Sequence, residues 1–154
     1  MLLSYPVSFD RVTACLKWRN VFLRVRIHNI DSDSGISFYQ VYAVGSSNVG
    51  WEYVSQWQTT TTQDHGGAQL RVVTITYGYG NPISANINGI LGTNYRRDVV
   101  CGSLSALHVC ANGETITGFI DYFAFDGLQG GTYSSSAAST AVPFGTWTDV
   151  INIL

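Results

Sequence analysis

The sequence predicts an all-β protein, an antiparallel β-sandwich of jelly-roll type with about 8–10 strands. Three observations predict it. Apolar residues recur with a period of two along most of the chain. Gly, Asn and Asp breaks separate these runs at intervals of roughly 8–14 residues. No stretch carries convincing amphipathic-helix spacing, with only a faint helical pattern at 104–109.

The organising stretch is 112–127, NGETITGFIDYFAFDG. Asn112-Gly113 and Asp126-Gly127 bound it as turn dipeptides, because these residue types tolerate positive φ. Thr115, Thr117, Phe119, Asp121, Phe123 and Phe125 share one face; Ile116, Gly118, Ile120, Tyr122 and Ala124 share the other. Neither face is cleanly polar. The strand therefore needs two covers, a facing sheet and something else, for which another subunit is a candidate.

The remaining elements follow in order. Strands are expected over 5–9, 11–18 and 21–28, then over 36–44 and 51–57, with 58–63 as a threonine-rich exposed edge. QLRVVTITY at 69–77 is a strong strand and 83–90 a weaker one. Residues 92–98 read as a loop carrying Arg96-Arg97, and 99–111 as one or two strands bent at Gly102. The Gly/Ser/Ala-rich stretch 127–145 reads as a long surface loop. A closing strand at 147–154 ends in apolar residues, which suits a mid-sheet position.

With 154 residues, 45% of them hydrophobic and 12% charged, the chain suits one domain over 1–154 and is not disordered. A typical globular chain is about 25% charged. Such a charge-poor surface is more natural in an assembly or outside a cell. Lys17 is the only lysine and the net charge is −2, so nothing favours nucleic acid or an anionic membrane. No stretch approaches the roughly 18–20 apolar residues of a membrane-spanning helix. The N-terminal MLLSYPVSFD lacks the basic n-region of a signal peptide, and its apolar run is short.

Three cysteines, Cys15, Cys101 and Cys110, do not make a disulfide framework. Free buried thiols are the default expectation, with a Cys101–Cys110 bridge across a turn as the alternative. His108 shares a strand face with Cys110, and with Cys15 or Cys101 would form a zinc set, but no Cys-x-x-Cys or His-x-x-x-His spacing backs it and two ordinary buried side chains are the simpler account. Asp31, Asp33 and Gly35 open like a calcium loop, but Tyr42 stands where an EF-hand needs glutamate. Asp121 is the better candidate for a functional acid, since it interrupts a hydrophobic strand; a satisfied buried or subunit-contact carboxylate is the ordinary account. Nucleophile elbow, P-loop and dinucleotide fingerprint are all missing. The expectation is a non-enzymatic protein without cofactor or metal.

Aromatic residues carry the stronger signal. Trp51, Tyr53 and Trp57 could form a stacking platform for sugar rings, with Tyr77 and Tyr79 on a nearby rim. Core and interface roles compete for the same residues. Phe119, Asp121, Phe123, Phe125, Trp147 and Ile151 are the candidates for a subunit interface.

Two resemblances bear on this. The segments 104–110, Asn112-Gly113-Glu114, 119–125, 130–136 and 146–154 resemble the jelly-roll heads of the C1q/tumour-necrosis-factor type and phage fibre tips. Separately, 44–73, with Gly50-Trp51 and Trp57, looks like the carbohydrate-binding C-terminal domain of expansins. Small viral coat proteins are jelly rolls of this length too, although a basic genome-binding arm is not visible here. These resemblances imply a virion or extracellular protein that self-assembles as a homo-oligomer, or else a glycan-binding module.

Overall fold

The computed structural model describes residues 34–67 and 69–154. The strands expected over 5–28, with Cys15, Asp31 and Asp33, lie outside these residues. Among the described residues there are ten strands: β1 (Phe38–Ser46), β2 (Gly50–Tyr53), β3 (Leu70–Tyr77), β4 (Gly80–Ile87), β5 (Ile90–Leu91), β6 (Thr93–Cys101), β7 (His108–Val109), β8 (Ile116–Ala124), β9 (Gly131–Ser139) and β10 (Thr146–Ile153). They form two antiparallel sheets. A curled six-stranded sheet runs β2-β1-β3-β8-β6-β7 and a four-stranded sheet runs β10-β9-β4-β5. The antiparallel β-sandwich read from the sequence is the fold. Among these residues no helix is long and apolar enough to cross a membrane.

β8 is the stretch that the sequence singles out, and it lies between β3 and β6. Its odd-numbered face turns into the sandwich. Phe123 and Phe125 pack there with Val41, Val44, Leu70 and Val72 of the same sheet and with Ile87, Tyr133 and Ile151 of the facing one. Its even-numbered face builds a second core, where Ile120 and Tyr122 join Phe38, Tyr42, Val73, Ile75, Tyr77 and Val100. Leu104 and Leu107, from the β6–β7 connection, belong to that second core. The second cover therefore comes, at least in part, from the chain itself.

That finding corrects the interface assignment. Asp121, Phe123, Phe125 and Ile151 are 1%, 3%, 3% and 1% exposed, inside their own sandwich and out of reach of a partner. Phe119 is half-buried, and Trp147 keeps 37% exposure.

Four local readings also change. The expected loop at 92–98 is most of β6, whose alternation is obscured because Arg96, Arg97 and Asp98 occupy it. The expected loop at 127–145 contains β9, a central strand of the smaller sheet. Tyr133, Ser135 and Ala137 point inward there and small residues point outward, so the sequence shows no polarity contrast. The closing strand, expected mid-sheet, is the edge strand β10. The 58–63 segment is not a strand but lies along that edge: Thr61 N–H donates to Asn152 O at 2.9 Å and Asn152 N–H to Thr59 O at 2.9 Å. Finally, Cys101 and Cys110 form a disulfide rather than free thiols. It closes the connection that carries Leu104 and Leu107, worth roughly 2–3 kcal/mol by chain entropy.

The two cores give a direct test. Phe123→Asp and Ile120→Asp each bury an unpaired charge, on opposite faces of β8. Circular dichroism with light scattering is expected to show loss of cooperative folding in both, never a folded but dissociated subunit.

Candidate functional site

The curled sheet carries an aromatic cluster on the face turned away from the smaller sheet, at one end of the second core. The registers place Trp51, Gly45, Arg71, Ala124 and Thr93 in one rung across β2-β1-β3-β8-β6. Tyr53, Ala43, Val73, Tyr122 and Arg96 form the next. Paired residues share a face. Small side chains thus lie in the middle, Ala43 and Val73 fully buried, with Trp51 and Tyr53 along one wall of the cluster and Tyr122, Tyr95 and Arg96 along the other. Tyr95 is the extra residue of a bulge between Asn94 and Arg96, and this turns its ring toward Tyr122 at 6.1 Å. On the other wall, Tyr53 meets Tyr42 edge-on at 5.4 Å.

Gly45 makes this wall. A Cβ there would come within 2.6–2.8 Å of the Trp51 ring, so only glycine lets the indole lie on the strand. Arg71 stands over the Tyr95 ring at 5.3 Å and Arg96 over the Tyr122 ring at 5.0 Å. Both guanidiniums also meet carboxylates: Arg71 pairs with Asp126, and Arg96 with Asp98 at 2.7 Å. Burial raises the pKa of Tyr42, Tyr53, Tyr95 and Tyr122, so the cluster presents neutral phenols. Tyr53 and Tyr95 remain 45% and 44% exposed, whereas Tyr122 is 3% exposed, so the accessible aromatic surface is formed by the outer rings.

Of the five residues proposed for sugar stacking, the structure brings Trp51 and Tyr53 together. Trp57 follows in the loop after β2 and is 86% exposed. Tyr77 is buried at the far end of β3, paired with Phe38, and its hydroxyl donates to Gly102 O at 3.4 Å. Tyr79 packs edge-on against Phe119 at 5.9 Å. Neither belongs to the rungs of Trp51 and Tyr53. The cluster residues Tyr42, Arg71, Tyr95, Arg96 and Tyr122 were not anticipated. They come from four strands, and only register brings them together.

Beneath β2, on its inward face, lies a second unanticipated cluster. Glu52 Oε1 accepts hydrogen bonds from Gln58 Nε2 and Thr62 N, each at 2.7 Å, and Oε2 accepts from Gln63 N at 3.0 Å. His65 Nε2 lies 3.1 Å from Oε2, and His65 Nδ1 lies 3.2 Å from Ser46 Oγ. The order resembles a serine–histidine–acid relay, but Ser46 and His65 are both 0% exposed and cannot meet a substrate. What the cluster does is fasten the 58–65 segment. Its sequence cue is slight, a lone acid between two aromatic residues of an alternating strand.

Asp121 is buried beside Arg97, whose Nε is 3.6 Å away, and accepts from Asn94 Nδ2 at 3.1 Å. Burial raises its pKa, against the opposing pull of Arg97 and Asn94. Its surroundings are hydroxyl-rich. Tyr39 donates to Ser135 Oγ at 2.8 Å, and burial pushes the Tyr39 phenol up to about 12. Thr74 and Tyr133 lie close to Tyr39 and Ser135 respectively, yet neither hydroxyl closes a well-formed hydrogen bond. This is the satisfied buried carboxylate of the ordinary account, not an acid at a cleft.

The zinc reading fails, because both described cysteines are consumed by the disulfide. Among the described residues no three His, Cys, Asp or Glu gather to hold a metal. His108 instead clips the turn after β7: Nε2 bonds the Glu114 carboxylate at 3.0 Å and Nδ1 faces Ala106 O at 3.3 Å.

Residues 34–153 match the family model described as Domain of unknown function (DUF4879). The chain belongs to that family. A comparison with curated proteins gives no match. The matched span includes all ten strands, the aromatic cluster and the Glu52 cluster.

Two pH effects follow. Burial opposes ionisation of Glu52, but hydrogen bonds from Thr62 N, His65, Gln58 and Gln63 N outweigh it and hold the carboxyl at about 2. A depressed acid contributes stability above its unfolded value and loses it as pH falls through the folded one. Urea melts should therefore show wild type losing about 3 kcal/mol between pH 4.5 and 2 on account of this group, a loss absent in Glu52→Gln. The second effect is at the clip. Glu114, then Ala106 O, raises His108 above 6.5, while Ala111 N and His108 hold Glu114 below 4.5. The clip is fully formed between those two values; it is lost as pH rises through the raised histidine value or falls through the lowered glutamate value. NMR titration is expected to place the His108 midpoint above 6.5 and to lower it in Glu114→Gln.

Proposed function

We propose that this protein is a non-catalytic glycan-binding module that works outside the cytoplasm. The observation that carries the reading is the aromatic surface: Tyr53 and Tyr95 stand exposed on either side of the buried Ala43 and Val73, with Trp51, Arg71 and Arg96 beside them. Such a surface suits a chain of pyranose rings, whose C–H faces stack on aromatic rings while phenols and guanidiniums bond the hydroxyls. Because the arginines already pair with Asp98 and Asp126, a neutral polysaccharide fits better than an acidic one. The Cys101–Cys110 disulfide supports an oxidising location, whether a virion surface or an extracellular one.

The self-assembling structural role draws on the charge-poor surface, the single lysine, the terminal apolar strand and the need of two-sided strands such as β8 for a second cover. Leu104 and Leu107 supply part of that cover within the chain, so the glycan reading is preferred. A non-catalytic role is favoured because the only relay-like set of side chains described here, Ser46-His65-Glu52, is sealed from solvent.

Binding to a glycan array and to insoluble polysaccharides tests the proposal. Tyr53→Ala and Tyr95→Ala, both at accessible positions, are expected to fold normally and to lose about tenfold in affinity each. A wild-type protein that binds no glycan, or binding untouched by both variants, would overturn it.

A further inference from the structure

The β9–β10 hairpin has a second surface, at the end of the sandwich away from the aromatic rungs. From Gly127 to Thr148 the chain has no charged residue. The connection between the two strands presents Val142 at 69% and Phe144 at 72% exposure, with Pro143 between them also exposed and Trp147 on the shoulder at 37%. Apolar side chains this bare at a hairpin tip are costly in water unless something receives them.

The tip is held in place rather than loose. Gly35 N–H donates to Val142 O at 2.8 Å, Ser139 N–H to Gly145 O at 2.9 Å and Thr140 N–H to Tyr79 O at 3.0 Å. A Cβ on Gly35 would come within 2.6 Å of Pro143 O, so the β1 side of the molecule presses directly on the turn. Gly35 precedes the start of β1, whereas Gly45 and Arg71 of the aromatic cluster lie at its other end.

We propose that this tip inserts into the headgroup layer of a zwitterionic lipid surface. Three features select lipid over a protein. The patch is a few side chains on one turn, far short of the roughly 800 Å² per partner of a stable protein interface, whereas insertion needs no complementary surface. Residues 127–148, the tip included, carry no ion that would have to be desolvated on entry; Asp149 stands further along β10, bonded to Val41 N. Phe144 at the tip and Trp147 on the shoulder give the order in depth that a bilayer interface favours, with the indole N–H left among headgroups. The absence of any cation from the hairpin points to zwitterionic rather than anionic lipid.

Flotation with phosphatidylcholine vesicles tests this. The wild-type protein is expected to float with the vesicles, and phosphatidylserine is expected to add nothing. Val142→Asp and Phe144→Asp, at exposed positions, should keep the wild-type circular dichroism and glycan binding but lose about tenfold in lipid partitioning. The proposal is overturned if the wild type stays with the unbound fraction, if Phe144→Asp floats equally well, or if binding requires anionic lipid. It is also overturned if the tip instead mediates self-association that Phe144→Asp abolishes in the absence of vesicles.

Discussion

A strand that is apolar on both faces has to be covered twice, and β8 imposes that requirement on the rest of the molecule. One cover is the four-stranded sheet, which closes over Phe123 and Phe125. The other includes Leu104 and Leu107 on a connection stapled by a disulfide. On the remainder of that outer face the small side chains at Ala43, Gly45 and Ala124 let the rings of Trp51, Tyr53 and Tyr122 close over the sheet. The candidate site thus occupies the part of the large sheet whose central residues are small, with Tyr53 and Tyr95 exposed on either side.

The aromatic cluster and the Glu52 cluster share β2. Trp51 and Tyr53 point to one side of the strand and Glu52 to the other, as a period of two dictates. A short edge strand of four residues would fray if left to its own ladder. Here its inward carboxylate is bonded to the loop that follows, and its outward indole lies on Gly45. The wall of the aromatic cluster is therefore held from below by electrostatics and from the side by packing.

The fold class was legible in the sequence because β-branched and aromatic residues alternate so clearly in β1, β3 and β8. β9 was not, because Ser134, Ser135 and Ser136 blur the inside and outside of a strand whose register is set by its neighbours. β6 was missed because charge reads as loop, while Arg97 in fact stacks on Phe119 at 4.0 Å and bonds Asn81 at 2.8 Å. One wall of the cluster was visible as Trp51 and Tyr53. The opposite wall depends on a bulge at Tyr95 and on pairing between strands far apart in sequence, neither of which leaves a local mark. The disulfide was legible only as the alternative to free thiols, because spacing alone does not decide whether two cysteines are oxidised.

The segment at 59–65 has a consequence for solubility. An edge strand offers its unpaired amides and carbonyls to any passing β-chain, and the apolar terminal half of β10, with Ile151 and Ile153, would be an inviting template for fibril growth. Thr59, Thr61 and His65 occupy those groups instead, at Asn152 and Leu154. The buried glutamate that anchors this segment thereby acts as a safeguard against polymerisation, exercised more than a strand's length away in sequence from the edge it protects.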